Sequence, residues 1–147
     1  MDLARVAVLS LVLLLLSLAP VDASQEGREI ALLTVLIVLE AEGEPTLGQA
    51  AVAHVAVNRA RKLGRPLEEV LFARWEFTGF WVSRRVDRQA FQQASHVAAQ
   101  VHRGVIPDPT HGATHYLNLA RVRTVPIWYE ERYVTTTIGR HTFLRLY

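Results

Sequence analysis

The sequence predicts an α+β domain, with helices in its first part and a small β-rich part at its C-terminal end. Ile30 to Leu39 is a nearly continuous apolar run, and its leucine and alanine content favours a buried helix over a strand. Residues 105–118 are rich in proline and glycine, which predicts turns. Residues 126–147 are β-branched and aromatic, and they predict short strands with a turn near Gly139.

Start and stop signals divide the first part into separate helices. Gly43 fits the end of the buried helix, and Pro45 fits the start of a second helix. This second helix is predicted from Thr46 to Lys62, with Gly64 and Pro66 ending it.

The following segments are also defined by local signals. "PLEEVLF" (66–72) predicts one or two helical turns, and the aromatic, non-periodic "RWEFTGFW" (74–81) predicts a loop. Asp87 is expected to cap a further helix that runs to His102 and stops at Gly104.

Composition excludes several classes of protein. A chain of 147 residues predicts one domain, and the absence of cysteine excludes disulfides, thiolate metal sites and a cysteine nucleophile. Without residues 1–23 the chain keeps 15 Lys+Arg and 12 Asp+Glu, a net charge of +3. Such mild basicity suits an anionic polymer such as cell wall. There is no basic stripe with interleaved aromatics, so we expect no nucleic-acid partner.

The N-terminus has the pattern of a signal peptide. Val6 to Ala19 is an uncharged apolar run of 14 residues, shorter than the roughly 20 that a spanning helix needs. Val21 and Ala23 occupy the small-residue positions of a cleavage site. We therefore predict that residues 1–23 are removed and that 24–147 is a domain exported to the periplasm, cell wall or exterior. An uncleaved N-terminus would instead anchor the chain in the membrane, and a buried N-terminal helix is a third interpretation.

Glu40 is the main candidate for chemistry. An acidic residue at a helix C-terminus is usually unfavourable by roughly 0.3–1 kcal/mol, so its presence there needs a reason. Because Glu40 directly follows a buried run, we expect it at the mouth of a cleft rather than in bulk water. Partial desolvation raises the pKa of a carboxyl group, and a protonated carboxylic acid is the general acid that glycosidic cleavage needs. A solvated helix end is the alternative.

The two neighbouring glutamates, Glu42 and Glu44, have different expected roles. Glu42 is expected to be solvated. Glu44 precedes the second helix, where negative charge favours the helix N-terminus, and it either supports that helix or belongs to the site.

Three separated motifs resemble one family. "EAEGEPTLGQAAVAHVAVNRA" (40–60) is similar to the Y-G-E-A-R-G-E-P and G-Q-x-A-V-x-x-V-x-x-N-R signature of SleB/CwlJ-type cell wall hydrolases, the spore cortex-lytic group. "PDPTHGATHYLN" (107–118) resembles its D-P-T-x-G-A-x-x-F/Y-x-N segment, and "IGRHTFLRLY" (138–147) resembles its I-G-x-H-x-F-Y/L close. Val38 and Leu39 replace the family's Tyr-Gly, and Glu42 replaces its Arg.

The resemblance implies a lysozyme-like fold and a reaction. The expected substrate is the peptidoglycan glycan strand, cut at the β-1,4 bond between N-acetylmuramic acid and N-acetylglucosamine, and lytic transglycosylase activity is implied. Glu40 matches the catalytic glutamate, and no cofactor or metal is implied. Hydrolysis instead would need a second carboxylate about 5–9 Å away. Glu44, Glu76 and Asp108 are candidates for it.

The predicted substrate-binding residues lie mostly in the matched motifs. They are Glu44, Gln49, Phe77, Tyr116, Asn118 and His141. Trp128 could also stack on a sugar, although core packing is equally compatible with each aromatic residue. Asn58, deep in the second helix, is expected to satisfy buried backbone.

Three alternatives remain on sequence grounds. Asp108, His111 and His115 could hold zinc in a peptidoglycan amidase or peptidase, with His141 available. However, Pro109 and Gly112 break the helix that usually aligns such a histidine pair. The domain could also be a non-catalytic wall-binding module, or a phage lysis enzyme with the same chemistry. An anhydro or a reducing product, and a cortex, vegetative or host wall, are all compatible with these residues. A monomer is expected.

Overall fold

The computed structural model describes residues 25–73 and 87–147. These residues form helices α1 (Gln25–Ala41), α2 (Thr46–Leu63), α3 (Leu67–Phe72) and α4 (Arg88–His102), strands β1 (His115–Leu117), β2 (Val134–Ile138) and β3 (His141–Leu144), and a 3-10 turn (Glu131–Tyr133) before β2. The predicted α+β class, mainly helical with a small β-rich C-terminal part, is confirmed.

Helix α1 lies in the middle of the domain, as its apolar sequence predicts. It packs against α4 on one side and α2 on the other. Its inward residues are almost fully buried, namely Leu32, Leu33, Leu36, Ile37 and Val38. Helix α2 faces it with alanines, which let the two backbones approach closely. This packing fixes the end of α1, and with it Glu40, relative to the rest of the core.

The predicted helix ends are confirmed to within one residue. Gly64 ends α2 in the left-handed conformation, with φ of 62°, and its backbone N–H reaches the last carbonyls of the helix. The carboxylate of Asp87 caps α4 by accepting a hydrogen bond of 3.0 Å from the Ala90 amide.

The sheet has three antiparallel strands in the order β1–β3–β2. The central strand β3 is buried along its whole length. Tyr116 pairs with Phe143 across β1 and β3, and Ile138 pairs with His141 next to the β2–β3 turn. Gly139 lies in that turn with φ of 57°, so the predicted turn is confirmed. The turn brings residues 140 and 141 towards the end of α1.

Some predictions concern residues outside 25–73 and 87–147. They are the signal peptide at 1–23, the loop at 74–81, and the candidates Glu76 and Phe77. Among the described residues, no helix is both long enough and apolar enough to cross a membrane.

Candidate active site

A cleft of about 370 Å³ opens between the end of α1 and the sheet. Its acidic wall carries Glu40, Glu42 and Glu44. The opposite wall carries Tyr116, Asn118, Arg121, Arg140 and His141. The cleft therefore joins residues from all three matched motifs, which are far apart in the chain.

Glu40 lies in the last turn of α1 and is half-buried at the cleft. The Tyr116 hydroxyl donates a hydrogen bond to its carboxylate. Burial, followed by the charge of Glu40 and this hydrogen bond, raises the pKa of Tyr116 well above its usual value, and the opposing charge of Arg59 does not offset them. Tyr116 therefore stays a neutral donor to Glu40 over the physiological pH range.

Glu44 is the most deeply buried carboxylate of the cleft, with 1% of its side chain exposed. Its Oε1 accepts a hydrogen bond of 2.6 Å from Arg140 Nε, and its Oε2 accepts one of 3.3 Å from the Arg140 backbone amide. Burial alone would raise the pKa of Glu44, but the hydrogen bonds and charge of Arg140 outweigh it and the pKa is lowered. Glu44 is thus an ionised partner of Arg140.

His141 is buried between this ion pair and Tyr116. Its Nδ1 lies 3.8 Å from Glu44 Oε1, and its ring meets the Tyr116 ring edge-on at 5.1 Å between centroids. Burial lowers the pKa of His141, and the charges of Arg140 and Arg121 act in the same direction against that of Glu44. The ring is therefore neutral near pH 7.

The other predicted substrate-binding residues occupy different places. Asn118 lines the cleft, and its Oδ1 accepts a hydrogen bond of 3.1 Å from the Ala120 amide, which shapes the turn after β1. Gln49 is buried beneath the cleft, and its Nε2 donates to the Glu44 carbonyl at 3.2 Å. A direct substrate contact by Gln49 stays a prediction. Phe77 lies outside the described residues.

Asp108 organises the turn-rich loop rather than facing the cleft. It accepts hydrogen bonds from the Thr110 hydroxyl at 2.6 Å, the Thr110 amide at 2.8 Å and the Gly112 amide at 2.9 Å. Asn58 Nδ2 donates to Asp108 at 2.9 Å and to the Ala113 carbonyl at 3.0 Å, so Asn58 satisfies buried backbone as expected. Burial opposes these bonds, yet together they lower the pKa of Asp108.

The proposed zinc ligands do not converge. His111 is exposed with φ of 55°, and the His115 ring lies 5.3 Å from the rings of both Trp128 and Tyr147. Burial, with a smaller contribution from Arg59, lowers the pKa of His115 to about 4. Within residues 25–73 and 87–147, no three histidine, aspartate or glutamate side chains cluster in a way that could hold a metal ion. The geometry therefore gives the amidase alternative no ligand set.

Two arginines of the cleft were missed by sequence reasoning. Arg140 stands inside the closing motif, between Gly139 and His141, so its position there was a usable signal. Arg121 falls between the second and third motifs, where no pattern singled it out. Both bring positive charge to a cleft whose other wall is acidic.

Comparison with known proteins identifies relatives of this arrangement. The family model described as Cell Wall Hydrolase matches residues 43–144. A curated spore cortex-lytic enzyme of Halalkalibacterium halodurans is 31% identical over 127 residues, covering 84% of this chain and 36% of the relative. The chain thus spans about a third of that relative's length.

Two solved structures are also similar. The catalytic domain of the Bacillus cereus SleB protein has a TM-score of 0.64 and 28% identity, covering 86% of this chain and 94% of that one. The catalytic domain of a germination-specific lytic transglycosylase, SleB of Bacillus anthracis, gives the same score and identity and is covered completely. The family match begins at Gly43 and does not reach Glu40. The resemblance inferred from the three motifs is confirmed, and the chain belongs to the cell wall hydrolase family.

Proposed function

We propose that this protein cleaves the β-1,4 bond between N-acetylmuramic acid and N-acetylglucosamine in peptidoglycan, as a lytic transglycosylase with Glu40 as its acid and base. The observation that carries the proposal is the position of Glu40, half-buried at the cleft and hydrogen-bonded to a neutral tyrosine. Membership of the cell wall hydrolase family and the likeness to a lytic transglycosylase domain support the same reaction.

The reaction needs one proton-transfer group used twice. As an acid, Glu40 gives its proton to the glycosidic oxygen, and the bond from that oxygen to C1 of the muramic acid breaks while the N-acetyl group assists. As a base, the resulting carboxylate takes the proton from the C6 hydroxyl of the same sugar. The C6 oxygen then closes onto C1, giving a 1,6-anhydro sugar and restoring Glu40. No water and no cofactor are consumed.

Tyr116 fits the carboxylate stage of this cycle. After Glu40 has given up its proton, its negative charge must be tolerated in a partly desolvated place. The Tyr116 hydroxyl stabilises that charge because a neutral phenol donates a hydrogen bond to a carboxylate.

The one-carboxylate route is favoured over hydrolysis by a second group. Two of the candidate second carboxylates are already engaged, Glu44 by Arg140 and Asp108 by its own loop. The third candidate, Glu76, lies outside the described residues. A carboxylate held in an ion pair is a poor base for activating water, since its pKa is lowered.

Substrate contacts follow from the cleft wall. We assign Tyr116, Asn118 and His141 to sugar binding, since each lines the cleft. Gln49 and Phe77 complete the proposed set, whereas Glu44, expected there from the sequence, has both carboxylate oxygens held by Arg140. The partner is the peptidoglycan glycan strand, and the working form is a monomer.

Residues 1–23 act as the export signal and residues 24–147 as the catalytic domain, so that the enzyme meets its substrate outside the membrane.

Mass spectrometry of fragments released from purified peptidoglycan tests the proposal. The full chain should release muropeptides with 1,6-anhydro-muramyl ends, with or without a chelator. Glu40→Gln should lower that release by about 10²–10⁴-fold, the usual contribution of a general acid. Glu29→Gln, on the same helix but away from the cleft, is the matched control and should act like the wild type.

Four other outcomes would each contradict one part of the proposal. Reducing muramyl ends would mean hydrolysis and a second carboxylate. Peptides released only without chelator would indicate a metal-dependent amidase or peptidase. Full activity of Glu40→Gln would remove Glu40 from the mechanism, and wall binding without any release would indicate a binding module.

A further inference from the structure

We propose that Glu44 is a positioning residue rather than a second catalytic carboxylate: together with Arg140 and His141 it holds Tyr116 against Glu40. This inference rests on the proposed function of Glu40. It assigns a role to the ion pair of the buried Glu44 and the half-exposed Arg140, which the reaction itself does not use.

The space around Glu44 is built for its carboxylate. A Cβ atom added to Gly139 would overlap Glu44 Oε2. A Cβ atom on Gly48 would lie 3.1 Å from Glu44 Cβ and 3.3 Å from Oε2, closer than ordinary contact. Two glycines from distant parts of the chain therefore leave room for one side chain, which fixes the β2–β3 turn against the start of α2.

Arg140 is bound to both ends of the short segment that follows α1. Its Nε donates to Glu44 Oε1 at 2.6 Å, and its Nη2 donates to the Glu42 carbonyl at 3.4 Å. Its backbone amide adds a third contact, at 3.3 Å to Glu44 Oε2. Arginine suits this task because its planar group presents several donors in fixed directions.

The next residue carries this fixed position to the proposed acid. His141 follows Arg140 directly and enters β3, where its ring packs edge-on against Tyr116. Tyr116 in turn donates its hydroxyl to Glu40. The contacts therefore run from Glu44 to Arg140, along the backbone to His141, and on through Tyr116 to Glu40. Only three residues of chain separate Glu40 from Glu44.

Such a circuit explains why the Glu44 carboxylate is kept in the interior, although 51% of its partner's side chain is exposed. The ion pair of a buried carboxylate adds little net stability, because desolvating the carboxylate offsets the attraction. Its geometry is nevertheless well defined, since a displaced charge would be left without a partner. A catalytic group must be held within a fraction of an ångström, and the pair provides a rigid reference next to it.

Single and double variants of the full-length protein separate positioning from catalysis. If Glu44 positions Tyr116, Glu44→Gln and Arg140→Gln should each lower kcat, by about 100-fold for a displacement near 1 Å, with little change in KM. The double variant should lose no more than the worse single variant, since the two side chains act as a unit. The exposed pair Arg65–Glu69 is the matched control, and Arg65→Gln/Glu69→Gln should behave as the wild type.

A second catalytic carboxylate would give a different pattern. Glu44→Gln would then be as inactive as Glu40→Gln, while Arg140→Gln would keep its activity because it releases the carboxylate. Either result, or wild-type kcat in both Glu44→Gln and Arg140→Gln while Glu40→Gln is inactive, would overturn the positioning role and leave the proposed function intact. An active Glu40→Gln would overturn the proposed function itself.

The pH profile of kcat/KM distinguishes positioning of Glu40 from a purely structural role of the Glu44–Arg140 pair. It also provides a test if Glu44→Gln or Arg140→Gln does not fold. Removing a hydrogen-bond donor from a carboxylate makes the carboxylate hold its proton more tightly. Tyr116→Phe, which leaves the Glu44–Arg140 pair intact, should therefore move the alkaline limb of kcat/KM, where the protonated Glu40 is lost, to higher pH. Arg140→Lys, which keeps the charge beside Glu44, should move it in the same direction but less. An unmoved limb in both variants would contradict the positioning role.

Discussion

Two hollows of nearly equal size differ in how their charged residues are held. The cleft encloses about 370 Å³, and a second hollow encloses about 360 Å³. The second hollow, here named the α2–α3 hollow, is lined by Glu29, Val57, Ala60, Arg61, Arg65, Pro66, Leu67 and His102. Each of the two contains a glutamate–histidine pair and two arginines, so neither size nor the presence of such a pair distinguishes them.

Burial of the paired glutamate does distinguish them. In the α2–α3 hollow, His102 Nε2 and Glu29 Oε2 are 2.7 Å apart, but 23% and 27% of these side chains are exposed. In the cleft, 51% of the Arg140 side chain is exposed but only 1% of the Glu44 side chain, and a Cβ atom on Gly139 would overlap Glu44 Oε2. A partly exposed carboxylate contributes little to stability or geometry, whereas a buried carboxylate must keep its partner in place. Fixed interior charge therefore marks the site better than the presence of a hollow does.

The largest effect should come from the glycines that border the two hollows. Gly139→Ala should lower the free energy of unfolding by about 2–5 kcal/mol, since its methyl group adds displacement of Glu44 Oε2 to the strain of a left-handed φ of 57°. Gly64→Ala beside the α2–α3 hollow should cost only about 1–2 kcal/mol, because its left-handed φ of 62° is the sole penalty and its Cβ meets nothing within 4 Å. Urea denaturation of both variants measures the difference, and equal losses would contradict the comparison.

A smaller effect should appear in acid. The pKa of Glu44 is lowered in the folded protein from its usual value of 4.5, so its contribution to stability is complete above that value. The contribution is lost as pH falls through the lowered pKa. The gap in unfolding free energy between wild type and Glu44→Gln should therefore narrow between about pH 5 and pH 2. The gap for Glu29→Gln, whose pKa is also lowered but whose side chain is more exposed, should be small throughout.

Denaturation at several pH values measures both gaps. A gap for Glu44→Gln that stays constant with pH would mean that ionisation of Glu44 does not stabilise the fold. A larger pH-dependent gap for Glu29→Gln than for Glu44→Gln would reverse the ranking of the two hollows.

The smallest effect should follow removal of the pair in the α2–α3 hollow. His102→Gln should change the free energy of unfolding by less than about 1 kcal/mol, as expected for a pair whose side chains are about a quarter exposed. Release of peptidoglycan fragments should stay at the wild-type rate. A clear loss of activity in a variant with wild-type stability would show that this hollow also takes part in the reaction.

The sequence was most informative where a structural feature depends on neighbouring residues. Asp87 caps α4 and Gly64 ends α2 as predicted, because both act on the backbone next to them. The location of Glu40 at a cleft could also be predicted, since any residue that directly follows a buried run must lie where the core meets its surface. The family resemblance added the order of the motifs, which a single local pattern could not supply.

Long-range pairing could not be predicted in the same way. Arg140 and Glu44 are 96 positions apart, and no local pattern assigns one to the other. Asp108 was a candidate second carboxylate because its sequence does not reveal that the amides of Thr110 and Gly112 would occupy its oxygens. Gln49 was expected near the cleft from its helical position, but its amide turns inward to the Glu44 carbonyl.

The central place of β3 has a consequence for how the protein folds. Helices α1 to α4 form from contacts close in sequence, whereas β1 and β2 each pair only with β3 within the described residues. Closing the long loop between Glu44 and Arg140 loses chain entropy before any stabilising contact has formed, so we expect such pairings to form late. A chain with all its helices made but β3 undocked has no second wall for the cleft. We therefore expect the second wall of the cleft to form late in folding, after the helices.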